Sequence, residues 1–166
     1  MNKLKNIIKY IVLLQQSSKL KYVELVRVGF ILYLIDWHSA VKYDKTITGI
    51  QWKVSQNHIE DSDEIDTAIG DSKVFILDKD ESIPNIMKTV VKSIDTNLPQ
   101  DFSCEEREVI NRVLEIANER NLVDLSVFAF STYPVISGTD EVCSDILQKA
   151  SEYKKLKQSS EEQEKS

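Results

Sequence analysis

Asp36 and His38, inside the stretch "YLIDWHSAVKYDKTITGIQW" from Tyr33 to Trp52, set an acid two residues from a histidine. An acid beside a histidine is the raw material of general acid–base catalysis. Their spacing argues against that use, because residues two apart on a helix do not share a face. A histidine near a helix end more often caps or hydrogen-bonds than acts as a base. Glu105, Glu106 and Glu108 fall in a first helical turn, where negative charge offsets the helix dipole. His38, His58, Cys104 and Cys143 show no paired spacing of the kind a zinc site needs, so no metal is expected. The four glycines lie far apart, which leaves no phosphate loop and no expected cofactor. The expected protein is not an enzyme; a hydrolase around Asp36 and His38 is the competing reading.

The elements that must position these residues are mostly helical. A chain of 166 residues, 42% hydrophobic, with four glycines and three prolines, is poorly punctuated for a sandwich or barrel. Leu4, Ile7, Ile8, Ile11 and Leu14 recur at helical spacing. From Tyr22 to Tyr43 a second helix is apolar on two sides, through Val23, Val26, Phe30 and Trp37 and through Leu25, Val28, Leu32 and Ile35. Such a helix belongs at the centre of its domain, and Gly29 could admit a close neighbour. From Thr46 the period changes to two, which predicts a strand over 46–54. "KVFILD" at 73–78 is its expected partner, with an acidic mobile loop between them.

Ile83, Ile86, Met87, Val90, Val91 and Ile94 then predict a helix with Pro84 in its first turn. "SCEE" at 103–106 reads as a capping box opening a helix through Val109, Ile110, Val113, Leu114 and Ala117. Asp124 should cap "LSVFAFSTY", which Pro134 should stop. Thr139 should cap a last helix burying Val142, Ile146, Leu147, Ala150 and Tyr153. The expected fold is mainly α: a single compact helical domain over 1–157 with a small antiparallel β element. Residues 158–166 are expected as a charged, disordered tail.

Charge is unevenly placed in a chain of net charge -6. Residues 1–45 carry eight Lys/Arg against three Asp/Glu, whereas residues 60–81 carry nine acids against two lysines. The acidic part would repel phosphates and suits a basic protein partner instead. Candidate partner-binding residues are Asp61, Asp63, Glu64 and Asp66, with Trp52 as an apolar anchor. Cys104 and Cys143 are expected as small core residues in a reducing cytoplasm. "MNKLKNIIKYIVLL" is interrupted by Lys9 and lacks a cleavage site, so a signal peptide is not expected. "VGFILYLI" is too short to span a bilayer.

Two segments, taken in order, carry a resemblance. "LYLIDWH", a tyrosine near the helix end and "TITGIQW" resemble a family's run of Leu-Tyr, Ala-Asp-x-x-His, Tyr-Gly and Pro-(Leu/Ile)-Thr-Gly. "SCEEREVINRVLEIANERNLVDLSVFAFSTYP" is similar to its second signature, a Ser-x-x-Glu helix start, Leu-Ser and a short helix leading to proline. The family is the Panacea domain, or SocA-like antitoxin domain, and the resemblance spans about residues 5–150. It carries over onto Tyr33, Asp36, His38, Tyr43, Thr48, Gly49, Glu106, Leu125, Ser126 and Pro134, all expected to be structural. Three departures mark a divergent member: "SQNHIEDSDEI" where the family has Gly-Pro-Val, Phe130 in place of a histidine, and Val135 in place of a tryptophan.

What the resemblance implies is a cytoplasmic antitoxin, of a bacterium, prophage or phage, that neutralises a cognate toxin by direct binding. A proteolytic adaptor, or a phage protein acting on host defence, is the alternative. About twenty residues precede the central helix, too few for a helix-turn-helix unit, so direct DNA binding is not expected. Asp36, His38 and Tyr43 are expected to hold the central helix end against the start of the strand.

Overall fold

A computed structural model describes residues 3–17, 23–56, 58–61, 63–70, 73–83, 86–138 and 145–164. Lys3–Ser17 forms helix α1, with Ile7, Ile8 and Ile11 fully buried on its apolar side. Lys9, which interrupts that apolar run, is itself buried, and its ammonium reaches Asp95 at 2.6 Å. A short strand, β1 (Val23–Glu24), leads into helix α2 (Leu25–Tyr43). Val28 and the run Ile31–Ile35 are fully buried, as a helix apolar on two sides requires. Val26 departs from its stripe and is half exposed. At Gly29 an added Cβ would meet Ile65 at an ordinary 3.9 Å, so no close approach depends on that glycine.

The strand expected over 46–54 is mostly absent. Pairing begins only at β2 (Lys53–Ser55), which runs antiparallel to β3 (His58–Glu60) in the register Val54↔Ile59. The backbone N–H groups of Ile47 and Thr48 turn to the carboxylate of Asp36 instead of to another strand. Gly49 then takes a φ of 79°, which breaks the pleat. The acidic stretch is not a loop throughout: Glu64–Gly70 forms helix α3, which buries Ile65, Ala68 and Ile69. Glu64 and Asp66 in its first turn complement the helix dipole.

"KVFILD" does not pair with the 46–54 segment. It begins β4 (Phe75–Ile83), which forms a hairpin with β5 (Ile86–Ser93), where a helix was expected. Pro84 lies outside the described residues. The apolar spacing fits a helix on paper, but Thr89, Val90 and Val91 are consecutive β-branched residues that favour extended backbone. Val90 and Val91 point to opposite faces and are both buried, because β5 is the middle strand of the antiparallel order β1-β5-β4, with α1 and α2 packed on it.

Helix α4 (Cys104–Asn118) has its capping box complete, Ser103 and Glu106 each accepting the other's backbone N–H. It buries the five expected residues, Val109, Ile110, Val113, Leu114 and Ala117. Cys104 is exposed at the first helical position rather than in the core; Cys143 lies outside the described residues. Helix α5 (Leu122–Phe130) is capped by Asn121, not Asp124, since the Asn121 side chain accepts the Asp124 N–H at 2.9 Å. Pro134 does not stop a helix but opens one, α6 (Tyr133–Ile136), where its missing N–H costs nothing. At Gly138 a Cβ would lie 3.1 Å from the Gln56 backbone nitrogen and 3.2 Å from the Pro134 carbonyl oxygen, tighter than side chains ordinarily pack.

The last helix, α7 (Ile146–Glu164), buries Ile146 and Ala150 and stacks Tyr153 on Trp37 and Tyr133. Leu147, expected in the core, is 43% exposed, and Thr139 and Val142 lie outside the described residues. The expected disordered tail is helical through Glu164, with residues 155–163 exposed. The fold is mainly α with antiparallel strands. Among the described residues no helix is long and apolar enough to cross a membrane.

Candidate functional site

Asp36 is fully buried on α2, and its carboxylate is the hub of the interior. Oδ1 accepts the N–H groups of Ile47 at 2.7 Å and Thr48 at 2.9 Å. Oδ2 accepts the Trp52 indole N–H at 2.8 Å and the Thr48 hydroxyl. A carboxylate whose two oxygens accept four hydrogen bonds has no face left for a substrate. The Trp52 ring meets Tyr33 edge to face, centroids 5.5 Å apart. The Tyr33 hydroxyl lies 2.7 Å from Thr132 Oγ1, whose own proton goes to the Ala129 carbonyl. Tyr33 is therefore the donor of that pair, and burial pushes its phenol well above the ordinary range. Tyr33, Asp36 and Thr48 thus belong to one buried junction that fixes the chain leaving α2, and Gly49 makes the exposed turn beside it.

His38 and Tyr43 are not part of that junction. The His38 Nδ1 lies 3.0 Å from the Leu34 carbonyl of its own helix. Its ring lines a small cavity of about 250 Å³ with Trp37, Lys42, Glu108, Arg112 and Tyr153. Burial, with the nearby Arg112 charge, lowers its pKa against the opposing pull of the Leu34 carbonyl. The Tyr43 hydroxyl donates to Glu108, which also pairs with Lys42, so Tyr43 ties α2 to α4 rather than to a strand. Asp36 and His38 make no contact with each other through these partners, and no acid–base couple is formed. Glu106 closes the capping box and pairs with Lys3; burial alone would raise its pKa, but the Lys3 and Ser103 hydrogen bonds lower it. Leu125 and Pro134 are buried, and the Ser126 hydroxyl donates to the Val123 carbonyl.

The acidic candidates gather elsewhere, around a cleft of about 600 Å³ between the start of α2, β3, α3 and α5. Glu60, Asp61, Asp63 and Asp66 stand on its rim, and Leu25, Val26, Phe30, Ile59, Ile65, Leu122 and Phe130 line it. Among the described lining residues there is no lysine or arginine. Burial, reinforced by Asp66, Glu64 and Asp63, raises the Asp61 pKa, while the Asp63 N–H at 2.8 Å opposes the shift. Among the described residues no group of three or more His, Cys, Asp or Glu side chains is placed to hold a metal ion. Glu64 does not face the cleft; it accepts the Gln51 N–H at 3.1 Å. Trp52 touches the cleft but is 3% exposed, because its indole N–H is committed to Asp36. It is a core residue, not an apolar anchor at the surface.

The side chains that line this cleft on α2 and α5 escaped the sequence reading, since apolar residues at helical spacing look alike whether they face a core or a groove. Arg27 escaped it too. Its guanidinium is buried and donates to the Ala117 carbonyl at 2.5 Å, the Arg120 carbonyl at 3.1 Å and Gln15 Oε1 at 2.8 Å. The one available signal was an arginine inside the otherwise apolar run "LVRVGF". No protein-family model, curated protein or solved structure matches this chain.

Proposed function

We propose that this chain is a divergent Panacea-like antitoxin that acts in the cytoplasm by binding a basic cognate toxin, and that it performs no catalysis of its own. The observation that supports the reading is the cleft beside α3, apolar within and acidic at the rim. A surface of that kind lends itself to recognition: acids speed the encounter with a cationic partner, and the apolar interior slows its release. The buried junction around Asp36 agrees with the structural role that the resemblance gives to Tyr33, Asp36, Thr48 and Gly49. The hydrolase reading draws no support from a carboxylate whose oxygens are both occupied. The test is co-expression with the adjacent gene. Restored growth together with a complex that survives purification supports the antitoxin; unrelieved toxicity with no complex removes it.

A further inference from the structure

The cleft continues onto a helix face that the fold leaves bare. On α5, Val123 and Val127 are 69% and 63% exposed, one turn apart. Helical spacing sets them on the same side as Phe130, which lines the cleft and meets Phe30 of α2 edge to face at 5.7 Å. Val26, half exposed at the start of α2, lines the cleft as well. Leu25, Val26, Phe30, Leu122 and Phe130 make an apolar side from α2 and α5, with Glu24 at its edge. The opposite side carries Glu60, Asp61, Asp63 and Asp66, from β3, α3 and the segment between them, with Ile59 and Ile65 among them. The groove is therefore two-sided, one side mainly apolar and the other rich in acids.

We infer that this groove holds a basic amphipathic helix of the partner protein, its apolar stripe laid along α5 and α2 and its Lys/Arg edge turned to Asp61, Asp63 and Asp66. The inference rests on the binding role proposed above and names the part of the partner that is recognised. A helix presents an apolar stripe beside a charged edge in one rigid element, which is what a two-sided groove can read. A flat basic surface would meet the acids but leave Val123 and Val127 in water. An apolar helix lacking cations would place nothing opposite the carboxylates of Asp61, Asp63 and Asp66.

The experiment uses the full chain and a labelled synthetic peptide of about eighteen residues, long enough to hold a helix, built from leucine and lysine in amphipathic order. Its isomer of identical composition but scrambled order, and a version with glutamate for lysine, serve as controls. Fluorescence anisotropy at low salt should show the amphipathic peptide binding at least ~10-fold tighter than either control. Asp61→Asn/Asp63→Asn/Asp66→Asn and, separately, Val127→Asp should each weaken binding by roughly 10-fold. Asp63, Asp66 and Val127 are exposed and Asp61 is half-buried, and a footprint of the peptide on the unaltered chain by hydrogen exchange gives the same answer without substitutions. Equal affinity for the scrambled isomer, a footprint away from α5 and α3, or no binding overturns the inference. So does self-association through Val127, which would make a second copy the occupant. A toxin neutralised by the cleft variants as well as by the unaltered chain defeats the inference but keeps the antitoxin; peptide binding without any toxin rescue does the reverse.

Discussion

Trp52 donates its indole N–H to Oδ2 of Asp36 at 2.8 Å, across sixteen residues of sequence, and so locks the irregular segment after α2 onto that helix. Removing the carboxylate strands several buried donors at once, at ~1–3 kcal/mol for each left unpaired. Asp36→Ala should therefore lose at least ~3 kcal/mol of stability. Trp52→Phe keeps the ring against Tyr33 and removes one donor, so its loss should be smaller. The two substitutions should be strongly non-additive in urea denaturation. Simple additivity would mean that the bond contributes nothing.

Arg27 closes the far end of the core by donating to the Ala117 carbonyl in the last turn of α4, where a cation also suits the helix dipole, and to the Arg120 carbonyl just beyond it. A planar fork reaches several acceptors that an ammonium cannot reach together. Arg27→Met should cost about 2–3 kcal/mol and Arg27→Lys should recover only part of it. Thermal melts in which the lysine variant matches the unaltered chain would contradict this role.

The sequence was legible where one signal dominated. The capping box at Ser103 and Glu106 and the stripe through Val109, Ile110 and Val113 depend on neighbours three or four residues away, and α4 follows them. Leu4, Ile7 and Ile11 likewise mark α1. The segment 83–94 misled because its apolar spacing satisfies a helix, whereas the choice was made by tertiary pairing, with Val91 opposite Val23 in a sheet covered by α1 and α2. The strand expected at 46–54 failed for a similar reason, since Asp36 captures the N–H groups that a neighbouring strand would have used. Charge density located the acids of the cleft, but the burial of Trp52 depends on a partner far away in sequence. The apolar wall on α5 depends on which face the fold leaves uncovered.

His38 titrates below its ordinary value of 6.5 because burial disfavours the imidazolium. The unfolded chain therefore binds the proton more readily than the folded one. Stability from this residue is present above about pH 6.5 and lost as pH falls through the lowered folded value. Chemical denaturation between pH 7 and pH 5 should show a decline that His38→Gln removes. Arg112, Lys42 and Glu108 are the charged groups beside the ring; Lys42, raised by Glu108, stays charged, and Glu108, lowered by Lys42 and Tyr43, stays ionised. A slope unchanged in the variant would assign the decline to other groups.

The central proposal, that this chain works by binding a basic partner at its acidic cleft, is tested most directly by stopped-flow association with a toxin identified in the co-expression experiment. The comparison is between the unaltered chain and Asp61→Asn/Asp63→Asn/Asp66→Asn, at low and high salt. Neutralising the rim should slow association by roughly 10-fold at low salt, and the two chains should converge as salt screens the field. An association rate that is the same for both chains at low salt would contradict the account.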